Sequence, residues 1–380
     1  MRSESELRQL AGVKWSRDGA DVLPAWIADM DLAPPQFATD AIRQMAERGD
    51  FGYNREVIAQ LPEVFCQWQH HYHGWEPETE RLRLFSNVMH AIAMSIFLHT
   101  EPGDGIVLIT PIYPPFIKAV EGGGRRVVDV PLSQPGWRLD PQRLADAVDD
   151  DTSAILICSP HNPTGRVFDA QERQAIAQVA VDNDLLLISD EVWADLTHPG
   201  QTHVPMATVG QEVAATTITI SSASKSFNLA GLRCAIAHTG RDSLADKFEA
   251  LPPHTLGSVS TLGAEASLRC WTEGHDWLSE TQRFLTARRD QLADRVAAEL
   301  PAVKFDRPEA TYLNWLDFSA LDLPDEPQQW LYDHAKVALS PGPDFGSGGS
   351  GFVRINSATT AEILDAVLDR IVAAVRQSGR

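Results

Sequence analysis

The chain is short of positive charge: 32 Lys and Arg stand against 52 Asp and Glu, a formal net charge of −20 at pH 7. Gripping a phosphate backbone takes clustered Lys and Arg, so this balance argues against a nucleic-acid partner. Cysteine is scarce too. Cys66, Cys158, Cys234 and Cys270 form no C-x-x-C pair, which argues against a zinc ribbon or a redox dithiol. Cys158 and Cys234 lie in apolar runs and read as buried packing residues. No apolar run approaches membrane-spanning length, and Met1 to Glu6 carries no apolar signal region. The expectation is a cytoplasmic protein with no membrane partner. Gly122-Gly123-Gly124 fits neither G-x-G-x-x-G nor the Walker pattern and reads as a helix end before a strand at 126–130.

What the chain does have is enough length, 380 residues at 43% hydrophobic, for one large and one small domain. Its middle alternates apolar strands with helices, the pattern of an α/β fold with a doubly wound sheet. The stretch Ser221 to Arg233 organises the rest. A β-branched run at 216–220 leads into it as a buried strand, and Lys225 follows, walled by Phe227 and Leu229. Lost solvation would lower the pKa of that amine and make it a nucleophile for a carbonyl. Ser222, Ser224 and Arg233 could supply donors to a phosphate. By itself, Ser-x-x-Lys usually marks only a solvated loop lysine.

Four other stretches stand in order around it. Ser86 reads as the N-cap of a helix at 87–99, whose free first-turn N–H groups, at Val88 and Met89, make an anion site. The strand at 106–110 ends in Pro111-Ile112-Tyr113-Pro114-Pro115, placing Tyr113 at the carboxyl edge of the sheet, where ligands bind in α/β folds. The strand at 154–158 runs into Ser159-Pro160-His161-Asn162-Pro163-Thr164-Gly165-Arg166. Asp190 closes a wholly apolar strand, where an unpaired carboxylate is costly, with a helix N-cap as the lesser alternative. Asp169-Ala170-Gln171-Glu172 is a capping box. Asp29 and Asp31 read as turn and capping residues ahead of a helix at 35–48, and His70, His71 and His73 as a polar helix face. A long helix opens at Gly274, an alternating strand spans 310–318, and a glycine-rich loop from Pro341 to Gly351 precedes Arg354.

Together these segments resemble the pyridoxal-phosphate enzymes of the aspartate-aminotransferase fold (fold type I), over about residues 15–359. Leu23-Pro24-Ala25-Trp26-Ile27-Ala28-Asp29-Met30-Asp31 is similar to a signature of the cystathionine β-lyase branch, the MalY/PatB type, and His161 is a further mark of it. The resemblance implies a large domain with a mostly parallel seven-stranded sheet and a smaller α+β domain. The expected divisions are 1–44 packing with the small domain, 45–280 binding the cofactor, and 281–380 forming the small domain. It implies pyridoxal phosphate on Lys225, its phosphate on Val88, Met89, Ser222, Ser224 and Arg233, and Tyr113 stacked on the ring. Asn162 and Trp193 would lie by the ring oxygen and Asp190 by its nitrogen; Tyr113 counts with Lys225 and Asp190 among the catalytic residues. Arg354, with Asn162, Tyr113 and Trp26, would bind an amino-acid substrate through its carboxylate. Tyr53 would reach the cofactor phosphate of a neighbouring subunit, implying a homodimer with shared sites. The implied reaction is β-elimination from cystathionine or a cysteine S-conjugate, with transamination as the alternative and a regulatory protein-binding role as a further one. Trp193 departs from the pattern, since relatives carry histidine or tyrosine there; indole donates a hydrogen bond but cannot titrate.

Overall fold

The computed structural model describes residues 2–252 and 254–379; Met1, Pro253 and Arg380 lie outside the described residues. At its centre seven strands form one sheet: β1 (Leu82–Phe85), β2 (Gly105–Thr110), β3 (Arg126–Pro131), β4 (Thr152–Cys158), β5 (Leu186–Asp190), β6 (Thr217–Ser221) and β7 (Ala235–Thr239). They lie in the order β1-β7-β6-β5-β4-β2-β3. Strands β2 to β6 pair in parallel, whereas β7 is antiparallel to both β6 and β1.

The apolar runs form this sheet because both its faces are covered. Every residue of β2 is buried, and its side chains alternate between two cores. Ile106 and Leu108 pack with Ala91, Ile92 and Ile96 of helix α1 (Val88–His99). Val107 and Ile109 pack on the opposite side with Ile176, Ala177 and Ala180 from the helix Ala170–Asp182. The strand order reverses beside β2, which has β3 on one side and β4 on the other. Such a reversal opens a crevice at the carboxyl edge of a parallel sheet. The capping box at Asp169 and Glu172 is present as expected.

A smaller antiparallel sheet joins Ser340–Pro341, Phe352–Asn356, Leu313–Asp317 and Lys304–Phe305 in that order. Helix α2 (His275–Glu299) connects the two parts: Leu278 and Leu285 lie in the large core, Leu292 and Val296 in the small one. Residues 2–44 divide between them as well. Leu7, Trp15, Leu23 and Ala25 pack in the small core, whereas Ala28, Met30 and Ala38 pack in the large. No helix among the described residues is long and apolar enough to cross a membrane.

Four local expectations are corrected. Helix α1 is capped by Asn87, whose Oδ1 accepts from the His90 N–H at 2.9 Å, because Ser86 Oγ is engaged with His90 Nδ1. The strand expected at 310–318 is regular only over Leu313–Asp317 and does not alternate. Leu313 faces the large core and Leu316 the small one, so neither side meets water. Asp31 caps no helix: it is buried, accepts from Trp15 Nε1 at 2.7 Å and pairs with Lys14 at 2.9 Å. His70 and His71 lie on an exposed or half-exposed face, but the His73 side chain turns inward to Asp195 at 3.0 Å.

Candidate active site

Four chain segments bring their side chains to the crevice. Tyr113 follows β2, Asn162 follows β4, Asp190 ends β5 and Lys225 follows β6. With Val88, Met89, Trp193, Ser222, Ser224 and Arg233 they line one cavity of about 190 Å³. Parallel pairing aligns these strands, Cys158 with Asp190 and Asp190 with Ile220, so residues distant in sequence arrive at one edge.

The lysine turn is stitched in place from several sides. Ser222 Oγ accepts from the Ser224 N–H at 3.1 Å and donates to the Cys234 carbonyl at 2.6 Å. Its hydroxyl proton is engaged within the turn, while the side chain also lines the cavity. Ser226 Oγ donates to Asp195 at 2.7 Å, and Asp195 also accepts from Trp68 Nε1 at 3.1 Å and His73 Nε2 at 3.0 Å. Asn228, in the left-handed region at φ 57°, accepts from the Met30 N–H and donates to the carbonyls of Met30 and Leu32. The helix Thr261–Glu273 presses on the same turn so closely that a Cβ on Gly263 would stand 2.1 Å from the Leu232 carbonyl oxygen. Sequence reasoning alone does not single out Asn228, Asp195 or Gly263. Only Asn228, a residue type tolerant of positive φ beside the lysine, offers a local signal.

Burial sets the electrostatics. It pushes the Lys225 amine below its ordinary value. It drives the Asp190 carboxyl up to about 7, against one opposing hydrogen bond from the Val192 N–H at 3.1 Å. Burial also raises the Tyr113 phenol, which stays protonated at neutral pH. Arg354 lies at 5% exposure with no carboxylate partner among the described residues, and burial lowers it to about 10. Its Nη1 donates to Asn162 Oδ1 at 3.0 Å and its Nη2 to the Trp26 carbonyl and Ser340 Oγ, while its buried Nε has no partner. With its oxygen turned to Arg354, Asn162 keeps its amide donors for a ligand.

The donor set has two ends. At one lie the N–H groups of Val88 and Met89, which the helix cannot satisfy itself, and the Arg233 guanidinium, free of hydrogen bonds and ion pairs among the described residues. At the other stands Asp190, a carboxylate whose burial calls for a cation. A group carrying an anionic phosphate and a protonated ring nitrogen fits both ends. Trp193, 2% exposed, turns its ring toward Lys225 Nζ, 5.6 Å from the ring centroid.

Not every expected residue reaches this cavity. Arg354 joins it through Asn162. The Trp26 ring is covered by the Arg17 guanidinium at 3.7 Å, and its carbonyl, not its indole, serves Arg354. Tyr53 is fully exposed and lies away from the cavity of its own chain. His161 is buried, bonded to Thr164 and the Ile109 carbonyl, and lowered to about 4 by burial; it is a neutral latch on the loop that carries Asn162.

An open, mostly parallel sheet with a buried lysine amine, a buried aspartate and the unpaired Arg233 at its carboxyl edge defines an α/β enzyme of the lysine-dependent cofactor type. The chain belongs to the class I and II aminotransferase family, whose model matches residues 27–371. It is 33% identical to cystathionine beta-lyase PatB of Bacillus subtilis, with 96% of each chain covered. It is 31% identical to protein MalY of Escherichia coli over 94% of this chain and 92% of that protein. Cystalysin from Treponema denticola, whose crystal structure contains pyridoxal 5'-phosphate, superposes with a TM-score of 0.92 at 28% identity, covering 99% of this chain and 98% of that one.

Proposed function

We propose that the protein is a pyridoxal-phosphate-dependent carbon–sulfur β-lyase, cleaving L-cystathionine or a related cysteine S-conjugate to a thiol, pyruvate and ammonia. The observation that carries this reading is the pair of buried groups on one cavity, the Lys225 amine lowered and the Asp190 carboxyl raised by burial. The similarity to PatB and MalY favours elimination over transamination.

Val88, Met89, Ser224 and Arg233 would hold the cofactor phosphate, and Tyr113, Asn162, Trp193 and Asp190 its ring. When bound, the cofactor supplies an electron sink for the pair left on the substrate α-carbon. Asp190 would ionise beside the ring nitrogen of the bound cofactor and so keep that sink charged. Arg354 offers its guanidinium to the substrate carboxylate, where a planar fork gives both charge and orientation. The Lys225 amine takes the α-proton at Nζ, a role its lowered pKa suits. The Trp193 indole can donate but cannot titrate, so proton movement at the α-carbon falls to Lys225.

The test is incubation with L-cystathionine and no keto acid. Continued release of thiol and pyruvate supports the lyase; a single turnover that stalls refutes it and indicates transamination. We further assign the protein to the cytoplasm as a homodimer in which Tyr53 reaches the partner's cofactor phosphate. Support comes from the exposed pair Phe51 and Tyr53 and from four free thiols. Light scattering, together with weaker cofactor retention in Tyr53→Phe, tests the dimer. We place the boundaries of the large domain at 45 and 280, the latter within α2, just ahead of its passage from one core to the other between Leu285 and Leu292.

A further inference from the structure

A second cavity, of about 310 Å³, abuts the first: Ala230 lines both, and Asp29 follows Ala28, which lines the first. Two side chains of opposite charge line it without partners. The Asp29 carboxylate and the Arg2 guanidinium make no hydrogen bond or ion pair among the described residues, although both line this cavity. The nearby Lys14 is already committed, to Asp31 at 2.9 Å and to the Asp29 carbonyl at 3.1 Å. The backbone under Asp29 is held firmly. Asn356 Nδ2 donates to the Ile27 and Asp29 carbonyls, both at 2.7 Å, and Asn228 bonds the Met30 N–H and carbonyl. A carboxylate left free on so tightly pinned a segment, beside the cavity of Lys225, is placed to meet something that enters through that cavity.

We propose that this second cavity receives the zwitterionic amino-acid head on the thiol side of the substrate, Asp29 taking its ammonium and Arg2 its carboxylate. The inference rests on the lyase reading and narrows it. Thioethers with a distal amino-acid head are preferred over cysteine conjugates with a small uncharged group. Arg354 orients the reacting end, and the pair Asp29 and Arg2 the leaving end.

Asp29 also acts on Lys225: burial lowers that amine, and Asp29 is foremost among the acids opposing it. The experiment must therefore separate recognition from a change at the lysine. Asp29→Asn and Arg2→Gln holoenzymes are compared with the natural protein on L-cystathionine and on S-methyl-L-cysteine. The expected result is a loss of about tenfold in kcat/KM for L-cystathionine in each variant, the size of one charge-assisted hydrogen bond. The value for S-methyl-L-cysteine should hold in Arg2→Gln and fall much less in Asp29→Asn. A parallel loss on both substrates in Asp29→Asn, or no loss on L-cystathionine, overturns the proposal. Calorimetry gives a second readout: in the Lys225→Ala background, Asp29→Asn should weaken L-cystathionine binding about tenfold, and unchanged affinity overturns the assignment. Should the natural protein cleave neither thioether, the lyase reading falls, while the calorimetric comparison still decides the cavity.

Discussion

The Lys225 amine donates to the carbonyl oxygen of Ala28 at 2.7 Å, across 197 positions of sequence. That same oxygen accepts from the Tyr312 hydroxyl at 2.9 Å, so one backbone atom ties the lysine turn, the N-terminal segment and the small domain together. The carbonyls on either side are also engaged: Trp26 by Arg354, Ile27 and Asp29 by Asn356. The reactive amine is thus positioned by one backbone carbonyl, on a segment whose neighbouring carbonyls are pinned by other side chains, rather than by an acid at contact distance. Tyr312→Phe removes one of the two donors on the Ala28 oxygen. It should leave cofactor uptake intact while lowering kcat more than it changes KM, by roughly tenfold, about the worth of one buried hydrogen bond. Steady-state kinetics decide the point.

Lys225→Ala removes the amine while leaving the donors at Val88, Met89 and Arg233. The variant should bind pyridoxal phosphate without the visible band of the covalent form, and its elimination rate should fall by about a thousandfold or more. Because burial lowers this amine, the neutral nucleophile becomes abundant below the ordinary lysine value of about 10.4. The rate of cofactor uptake by the cofactor-free protein should therefore rise with pH and level off short of that value. Stopped-flow absorbance across a pH series measures it.

Asp190 supplies a prediction about stability. Its folded pKa of about 7 lies above the ordinary carboxylate value, so the folded cofactor-free protein holds a proton that the unfolded chain has released. Stability then falls as pH rises from the unfolded pKa to the folded one and stays low above it. Each tenfold difference in proton affinity between the folded and unfolded chain is worth about 1.4 kcal/mol, so the cost at pH 8 is roughly a few kcal/mol. Asp190→Asn, which cannot ionise, should melt higher than the natural protein at pH 8 without cofactor, and the difference should vanish near pH 4. With cofactor bound the order should reverse, because the variant lacks a partner for the ring nitrogen. Thermal melts at both pH values, with and without cofactor, check each sign.

Tyr113, Asn162, Asp190 and Lys225 were legible because each sits where a strand stops. An apolar run ending in Asp190, Pro111-Ile112-Tyr113 or Ser-Pro-His-Asn marks the carboxyl edge of a parallel sheet from local pattern alone. What holds those residues was not legible. Asp195 answers to Trp68, His73 and Ser226, which lie 127, 122 and 31 positions away, and no periodicity announces such a meeting. The tight fold of the glycine-rich loop after Pro341 is not visible in its composition either. A Cβ on Gly342 would stand 2.0 Å from the Gly349 carbonyl oxygen, so the loop folds tightly on itself before delivering Arg354 to the small sheet. Asp31 likewise reads as a cap from its neighbours, while its partners Lys14 and Trp15 lie upstream, where nothing signals a buried ion pair.

Arg354→Lys tests whether the unpaired guanidinium serves a carboxylate. Lysine keeps the charge but loses the planar fork and cannot reach Asn162, Trp26 and Ser340 together. The expected result is a rise in KM with kcat/KM lower by about a hundredfold, the scale of two charge-assisted hydrogen bonds. Cofactor absorbance should be preserved, since Arg354 does not line the cofactor cavity directly. Loss of the absorbance with unchanged KM would assign the arginine to the cofactor instead.

Asp195→Ala probes the support beneath Lys225. Burial alone would raise the Asp195 carboxyl, but the hydrogen bonds from His73, Ser226 and Trp68 outweigh it and hold the group below its ordinary value. The stability it contributes is therefore present at neutral pH and is lost as pH falls through the folded pKa. Truncation strands three buried donors at once, and removing one member of a buried charged cluster costs about 3–5 kcal/mol. The variant should unfold at lower urea concentration at pH 7, and its deficit should shrink below about pH 4, the ordinary carboxylate value, as the natural protein also gives up that charge. Ser226 loses its acceptor while Lys225 is its immediate neighbour, so the pH at which cofactor uptake levels off should shift in the folded variant. A variant that loses stability yet keeps the natural uptake profile would confine Asp195 to the fold and free the lysine from its influence.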